Sequence, residues 1–168
     1  MSLQVAQNTC GFVHWDLTPW NIVLEEHDKE ITIDYKVNAS TVVTIHTKIT
    51  AVIIDYGKSH VIHDKIHHHG FVNPNVMSTV QDIVTLIMTT SKILLKKHVS
   101  TTTFKFMVFL VNFMSNTTYL QYPVKNAKSI KSFTRLHSTY SDMTSNNKGS
   151  LENKTPFDLY QYVSRFRL

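Results

Sequence analysis

His14-Trp15-Asp16-Leu17-Thr18-Pro19-Trp20-Asn21 is a polar loop set between two short β-prone runs, Phe12-Val13 before it and Ile22-Val23-Leu24 after it. A loop braced by strands on both sides presents its side chains in a repeatable arrangement, and such loops commonly carry chemistry. This one offers a carboxylate at Asp16 and a neutral amide at Asn21. Upstream, residues 2–9 are helix-compatible and end in Cys10-Gly11, where glycine can close a helix. Downstream, Ile31-Thr32-Ile33 and Thr41-Val42-Val43-Thr44-Ile45 flank a turn over Lys36 to Ser40, which predicts a hairpin. A further strand at Ala51-Val52-Ile53-Ile54 stops abruptly at Asp55-Tyr56-Gly57, placing a second carboxylate at a strand end with a flexible residue two places on.

The eight residues of the loop fit the HxDLxxxN pattern of a phosphotransferase catalytic loop. Phosphoryl transfer needs a carboxylate near the acceptor hydroxyl and oxygen ligands that hold magnesium against nucleotide phosphates. Asp16 is the candidate for the first role. Asn21 and Asp55 are candidates for the second, since hard oxygen donors suit magnesium. A lone HxD or DxG is a common turn sequence; the two in this order, followed by an apolar helix containing Asp82, form a more specific set.

On these residues the chain resembles the eukaryotic protein kinases, and among them haspin and the divergent serine/threonine kinases of large DNA viruses. The resemblance covers residues 2–95 well and the rest loosely. A hairpin lies between the loop and the metal-binding turn, so that Asn21 and Asp55 stand 34 positions apart, and Tyr56 follows the aspartate. The fold so implied is α+β, a protein-kinase-like C-terminal lobe, mainly helical with a small β-hairpin region and with the N-terminal lobe absent. The same resemblance implies that Asp16 is the catalytic base, that Asn21 and Asp55 bind Mg2+, and that Val23 packs beneath the adenine of ATP. His14 and Tyr56 would stack in a regulatory spine, and Asp82 would cap the backbone of the catalytic loop. The implied activity is transfer of the ATP γ-phosphate to a serine or threonine hydroxyl of a protein substrate. A complementary N-terminal lobe or an activating protein is the further partner implied.

Three departures qualify that pattern. Trp15 stands where many family members have an arginine, which argues against switching through a phosphorylated activation loop. Thr18 stands where serine/threonine kinases have a lysine, removing one positive charge from the transition state. No Gly-rich loop occurs, and the chain opens about a dozen residues before the catalytic loop. Two alternatives follow: a non-catalytic pseudokinase or interaction fragment, and a small-molecule phosphotransferase of the aminoglycoside type, which shares a similar loop.

The expected organisation is one partial kinase domain over residues 1–168. Residues 1–57 hold the catalytic loop, hairpin and metal-binding turn, and 58–78 an activation segment read as an extended, histidine-rich loop. Residues 79–140 form a helical core, 141–154 a Ser/Asn-rich linker, and 155–168 a terminal helix. Val80, Ile83, Val84, Leu86, Ile87 and Met88 follow helical spacing after a Ser or Thr cap near Ser78. Further helices are expected over Phe104 to Met114 and, more basic, about Asn126 to Tyr140. Thr155-Pro156-Phe157-Asp158 presents a cap, a proline at the first helical position and an acid three residues past the cap. Within the histidine cluster His60, His63, His67, His68 and His69, His63 and His67 would share a face if the segment were helical, so a transition-metal site is an alternative to a solvated loop.

Composition bounds the rest. A chain of 168 residues with 42% hydrophobic residues and only four Gly and four Pro can bury a core and is not a low-complexity sequence. The net charge of +5 divides unequally, residues 1–90 summing to −4 and residues 91–168 to +9. No recognition motif turns that basic half into a nucleic-acid partner site. The single Cys10 excludes an internal disulfide framework and fits a reducing compartment, cytosol or nucleus. The most apolar run, Phe104 to Val111, is interrupted by Lys105 and is short of the roughly 20 residues needed to span a bilayer, so no membrane segment is expected.

Overall fold

The computed structural model describes residues 1–70, 80–115, 130–131 and 154–166. Helix α1 (Ser2–Cys10) ends at Gly11, whose φ of 57° is the left-handed conformation that lets its N–H return to Gln7 and close the helix. The chain then runs through Val13 and the candidate loop into two long antiparallel strands, β1 (Ile22–Lys36) and β2 (Val42–Ile53). Alternating β-branched and polar residues keep each strand extended, as in Ile31-Thr32-Ile33-Asp34 and Val43-Thr44-Ile45-His46. The separate short strands expected at 22–24, 31–33, 41–45 and 51–54 are thus merged into one ribbon. A register shift between Glu26 and Ile31 marks the junction. At its tip, Asn38 Oδ1 accepts from the Ser40 N–H and hydroxyl, an Asx-type turn.

A short turn over Tyr56–Lys58 leads into a second hairpin, β3 (His60–His63) and β4 (Ile66–His69). This corrects the extended loop expected for the segment beginning at residue 58. Asp64 and Lys65 both have positive φ, 50° and 64°, which matches a type I′ connection whose twist suits a tight hairpin. The pairing also removes the helical premise for His63 and His67, because His63 lies opposite Ile66 and His67 opposite Ile62.

Helix α2 (Gln81–Leu94) packs against α3 (Thr101–Ser115), and α4 (Pro156–Val163) closes on both α3 and α1. Val80, Ile83, Ile87, Met107, Val111, Phe113 and Ile130 form the main apolar core. Around it, Phe109 stacks on Tyr162 at 4.1 Å between ring centroids. The Thr155 hydroxyl accepts from the Asp158 N–H while the Asp158 carboxylate accepts from Thr155 N, a complete capping box. Gln4 of α1 then accepts from the Phe157 N–H, tying the two ends of the described chain together. The expected cap near Ser78, most of the basic helix of 126–140 and most of the 141–154 linker lie outside the described residues.

These elements overturn the expected fold class. The chain is α+β, but a mainly helical, protein-kinase-like C-terminal lobe with a small hairpin is not what the described residues form. They contain two separate two-stranded antiparallel sheets, order β1-β2 and β3-β4, beside the helices. The strands of the N-terminal region pair with one another as hairpins, in the manner of a small domain. The physical reason is the density of β-branched residues from Ile22 to Ile54, which carries the pairing 15 and 12 residues along the two strands. Among the described residues no helix is long and apolar enough to cross a membrane.

Candidate functional site

The loop from His14 to Asn21 is held chiefly by a residue far away in sequence. Asp82, in the first turn of α2 and fully buried, accepts the His14 N–H at 2.8 Å with Oδ2 and the Trp15 N–H at 2.9 Å with Oδ1. Burial pushes the Asp82 carboxyl up to about 6, and the two backbone donors oppose that rise by favouring its charged form. Trp15 sits at φ 65°, a conformation that costs a bulky residue about 1–3 kcal/mol and persists only where its surroundings impose it. Here the buried carboxylate holds its N–H, and the indole is 1% exposed. The departure seen in sequence as a lost arginine is therefore an apolar anchor for the loop.

His14 fastens the other side. Its Nδ1 accepts the Asp16 N–H at 3.3 Å, which leaves the ring proton on Nε2 to be donated to the Ile54 carbonyl at 2.9 Å. The ring thus ties the residue before Asp55 to the residue that precedes the candidate base by two. Tyr56 packs at 5.5 Å from His14 and at 6.1 Å from Phe12, and its hydroxyl donates to the Ile53 carbonyl. His14 and Tyr56 are in ring contact, with Phe12 as the third member.

Asn21 and Asp55, 34 positions apart, are brought together by the Ile54 N–H donating to the Asn21 carbonyl at 3.0 Å. The Asn21 amide nitrogen donates to the Asp16 carbonyl at 2.8 Å. Asp55 is exposed in the left-handed region at φ 62°. An amide oxygen and a carboxylate are donors of the kind magnesium takes, so the chemistry of these two residues suits that ion. Val23, expected beneath the adenine, is 47% exposed and stands opposite Val52, an apolar pair at the loop end of the ribbon.

Two features were missed in the sequence. Lys58, at the end of the Tyr56–Lys58 turn, places Nζ 2.7 Å from Asp16 Oδ2. Its signal was weak, a single lysine after Asp55-Tyr56-Gly57. Trp20, 67% exposed, lines a cleft of about 440 Å³ with Lys92, Lys96 and Lys97 at the end of α2.

The hairpin β3–β4 is joined to the loop entry. Val13 and His60 exchange both backbone hydrogen bonds, at 2.9 and 2.8 Å. His60 is fully buried, and its Nδ1–H points to the Gly11 carbonyl at 3.3 Å while Nε2 meets His67 Nδ1 at 2.8 Å. Burial lowers the His60 pKa; His67 and His69 lower it further, and the Gly11 carbonyl works the other way. Among the described residues no group of three or more His, Cys, Asp or Glu side chains converges to hold a metal.

No family model matches the chain. It is similar to Uncharacterized protein 179R of Invertebrate iridescent virus 6, 41% identical over 101 residues, 52% of this chain and 8% of that protein. It is also similar to Uncharacterized protein 035R of Invertebrate iridescent virus 3, 29% identical over 147 residues, 79% of this chain and 13% of that protein. The chain therefore spans 8% and 13% of the length of these curated relatives.

Proposed function

We propose that this chain carries the catalytic segment of an ATP- and Mg2+-dependent protein kinase of the serine/threonine type. The observation that supports the reading is the clamped loop, in which Asp82 holds the backbone of His14 and Trp15 and the Asn21 amide holds the Asp16 carbonyl, while the Asp16 carboxylate stays partly exposed. Asp16 would accept the proton of a protein hydroxyl as that oxygen attacks the γ-phosphorus, and ADP leaves with the electrons of the broken bridging bond. Asn21 and Asp55 are the residues that would hold Mg2+, which neutralises phosphate charge when bound. The choice of serine/threonine over tyrosine rests on the haspin-like resemblance of residues 14–21 and 55–57.

Phosphate incorporation by the full-length protein with magnesium ATP tests the base. Asp16→Asn is expected to abolish incorporation, and unchanged incorporation removes Asp16 from that role. Phosphoserine or phosphothreonine is the expected product; phosphotyrosine alone, or phosphorylation of an aminoglycoside but of no protein, reverses the substrate class.

A second reading, a non-catalytic interaction fragment, is favoured by the exposed Leu24, Val42 and Ile49 on the ribbon. Calorimetry with magnesium ATP separates the two. Clear micromolar binding supports the kinase reading, and no binding by a folded full-length protein supports the interaction role.

A further inference from the structure

Residues 14–21 contain one carboxylate and no lysine or arginine, and Thr18, two positions past Asp16, contributes only a hydroxyl. Phosphoryl transfer concentrates negative charge around the phosphorus and beside the carboxylate that takes the proton, so a fixed cation there lowers the barrier. In this fold a cation reaches the same carboxylate from 42 positions away. Lys58 Nζ lies 2.7 Å from Asp16 Oδ2, a charge-assisted hydrogen bond.

The backbone that carries Lys58 is well held. The Ser59 N–H donates to the Tyr56 carbonyl at 2.9 Å and the Gly70 N–H to the Ser59 carbonyl at 3.2 Å. Gly70 lies so close to the Gly57 carbonyl that any Cβ at position 70 would collide with it, so the end of the β3–β4 hairpin presses directly on the turn. The pair itself is not a buried strut. The Lys58 and Asp16 side chains are 47% and 25% exposed, so the pair can be reached from solvent.

We propose that Lys58 is the cation of the phosphoryl-transfer site, supplying from the Asp55 turn the charge that Thr18 does not provide. This rests on the reading of Asp16 as the base. Lys58 holds Oδ2, which orients Oδ1 toward the acceptor hydroxyl. As the hydroxyl oxygen bonds to the γ-phosphorus, its proton passes to Asp16, the bond from phosphorus to the bridging oxygen breaks, and ADP departs with that electron pair.

The test measures kcat and KM for ATP in the full-length protein for Lys58→Met, Lys58→Arg and the double variant Lys58→Met with Thr18→Lys, with thermal melts to check folding. Lys58→Met is expected to lower kcat roughly 10- to 100-fold, the scale of removing one charge-stabilising donor, with KM changed less than about threefold. Lys58→Arg, which keeps the charge, should retain kcat within about fivefold, and Thr18→Lys in the Lys58→Met background should recover at least about tenfold, because it restores a cation two positions from Asp16. A folded Lys58→Met protein with wild-type or higher kcat overturns the proposal, provided that Asp16→Asn is inactive. An active Asp16→Asn protein instead overturns the underlying assignment of the base.

Discussion

The loop at His14–Asn21 and the β1–β2 ribbon that follows it are built on opposite principles. In the loop region Val13, His14, Trp15 and Leu17 are all buried, and the contacts that hold them span 40 to 68 positions, to Ile54 and Asp82. In the ribbon none of the fifteen residues of β1 is buried, and of β2 only Val43 is. Its geometry comes from its own antiparallel ladder and cross-strand neighbours such as Asp34 and Thr44, whose side chains hydrogen-bond at 2.6 Å. The contrast teaches that length of regular structure and structural dependence are different things. The longest element pair leans on little else, whereas an eight-residue loop depends on one buried carboxylate in a distant helix.

Removing that carboxylate is the strongest way to break the contrast. Asp82→Ala strands two buried backbone N–H donors at about 1–3 kcal/mol each and leaves a cavity, so a total loss of about 3–5 kcal/mol is expected in denaturant unfolding. Asp82→Asn keeps one acceptor and is expected to lose less. A loss below about 1 kcal/mol for the alanine variant would mean that the loop does not lean on Asp82.

Acid provides a second probe, with signs that differ between the two buried groups. An unfolded His60 protonates near 6.5, whereas the folded residue, its pKa lowered by burial, resists the proton. Protons therefore favour the unfolded chain, and the His60 contribution to stability falls as pH is lowered through about 6.5. For Asp82 the folded carboxyl, pushed up to about 6 from 3.8, takes the proton first, so its contribution grows as pH is lowered through that window. The dependence of unfolding free energy on pH between 7 and 5, measured for His60→Gln and Asp82→Asn, should be shifted in opposite directions from wild type. Equal slopes in all three would show that neither group titrates differently on folding.

The ribbon should answer with the smallest effects. Leu24→Ser and Val42→Thr, both at exposed positions, are expected to change stability by no more than about 0.5 kcal/mol and to leave phosphate incorporation unaltered. A loss of several kcal/mol at either would indicate that this face is covered in the folded protein.

How much was legible beforehand follows the same division. Gly11 ending α1, the capping box of Thr155 and Asp158, and the helical spacing from Val80 onward are readable because each reflects backbone energetics within a few residues. The ribbon was read in pieces, since the charged run Glu25-Glu26-His27-Asp28-Lys29-Glu30 interrupts the apolar alternation that the backbone pairing continues past. The β3–β4 hairpin was not readable at all. Its turn is Asp64-Lys65 rather than a glycine-containing pair, and both residues adopt positive φ only because the strands on either side and the bridge from His60 to Val13 hold them there.

The sequence by itself determined the chemistry available at the site, namely a carboxylate, an amide and a second carboxylate in that order at Asp16, Asn21 and Asp55. Tertiary structure decided what surrounds them. Lys58 meets Asp16, His14 bridges Asp16 to Ile54, and His60 meets His67 because separate turns and strands pack together. Local pattern encodes backbone preference over a few residues, but which side chain stands 2.7 Å from a carboxylate 42 positions away depends on the mutual packing of every element between them.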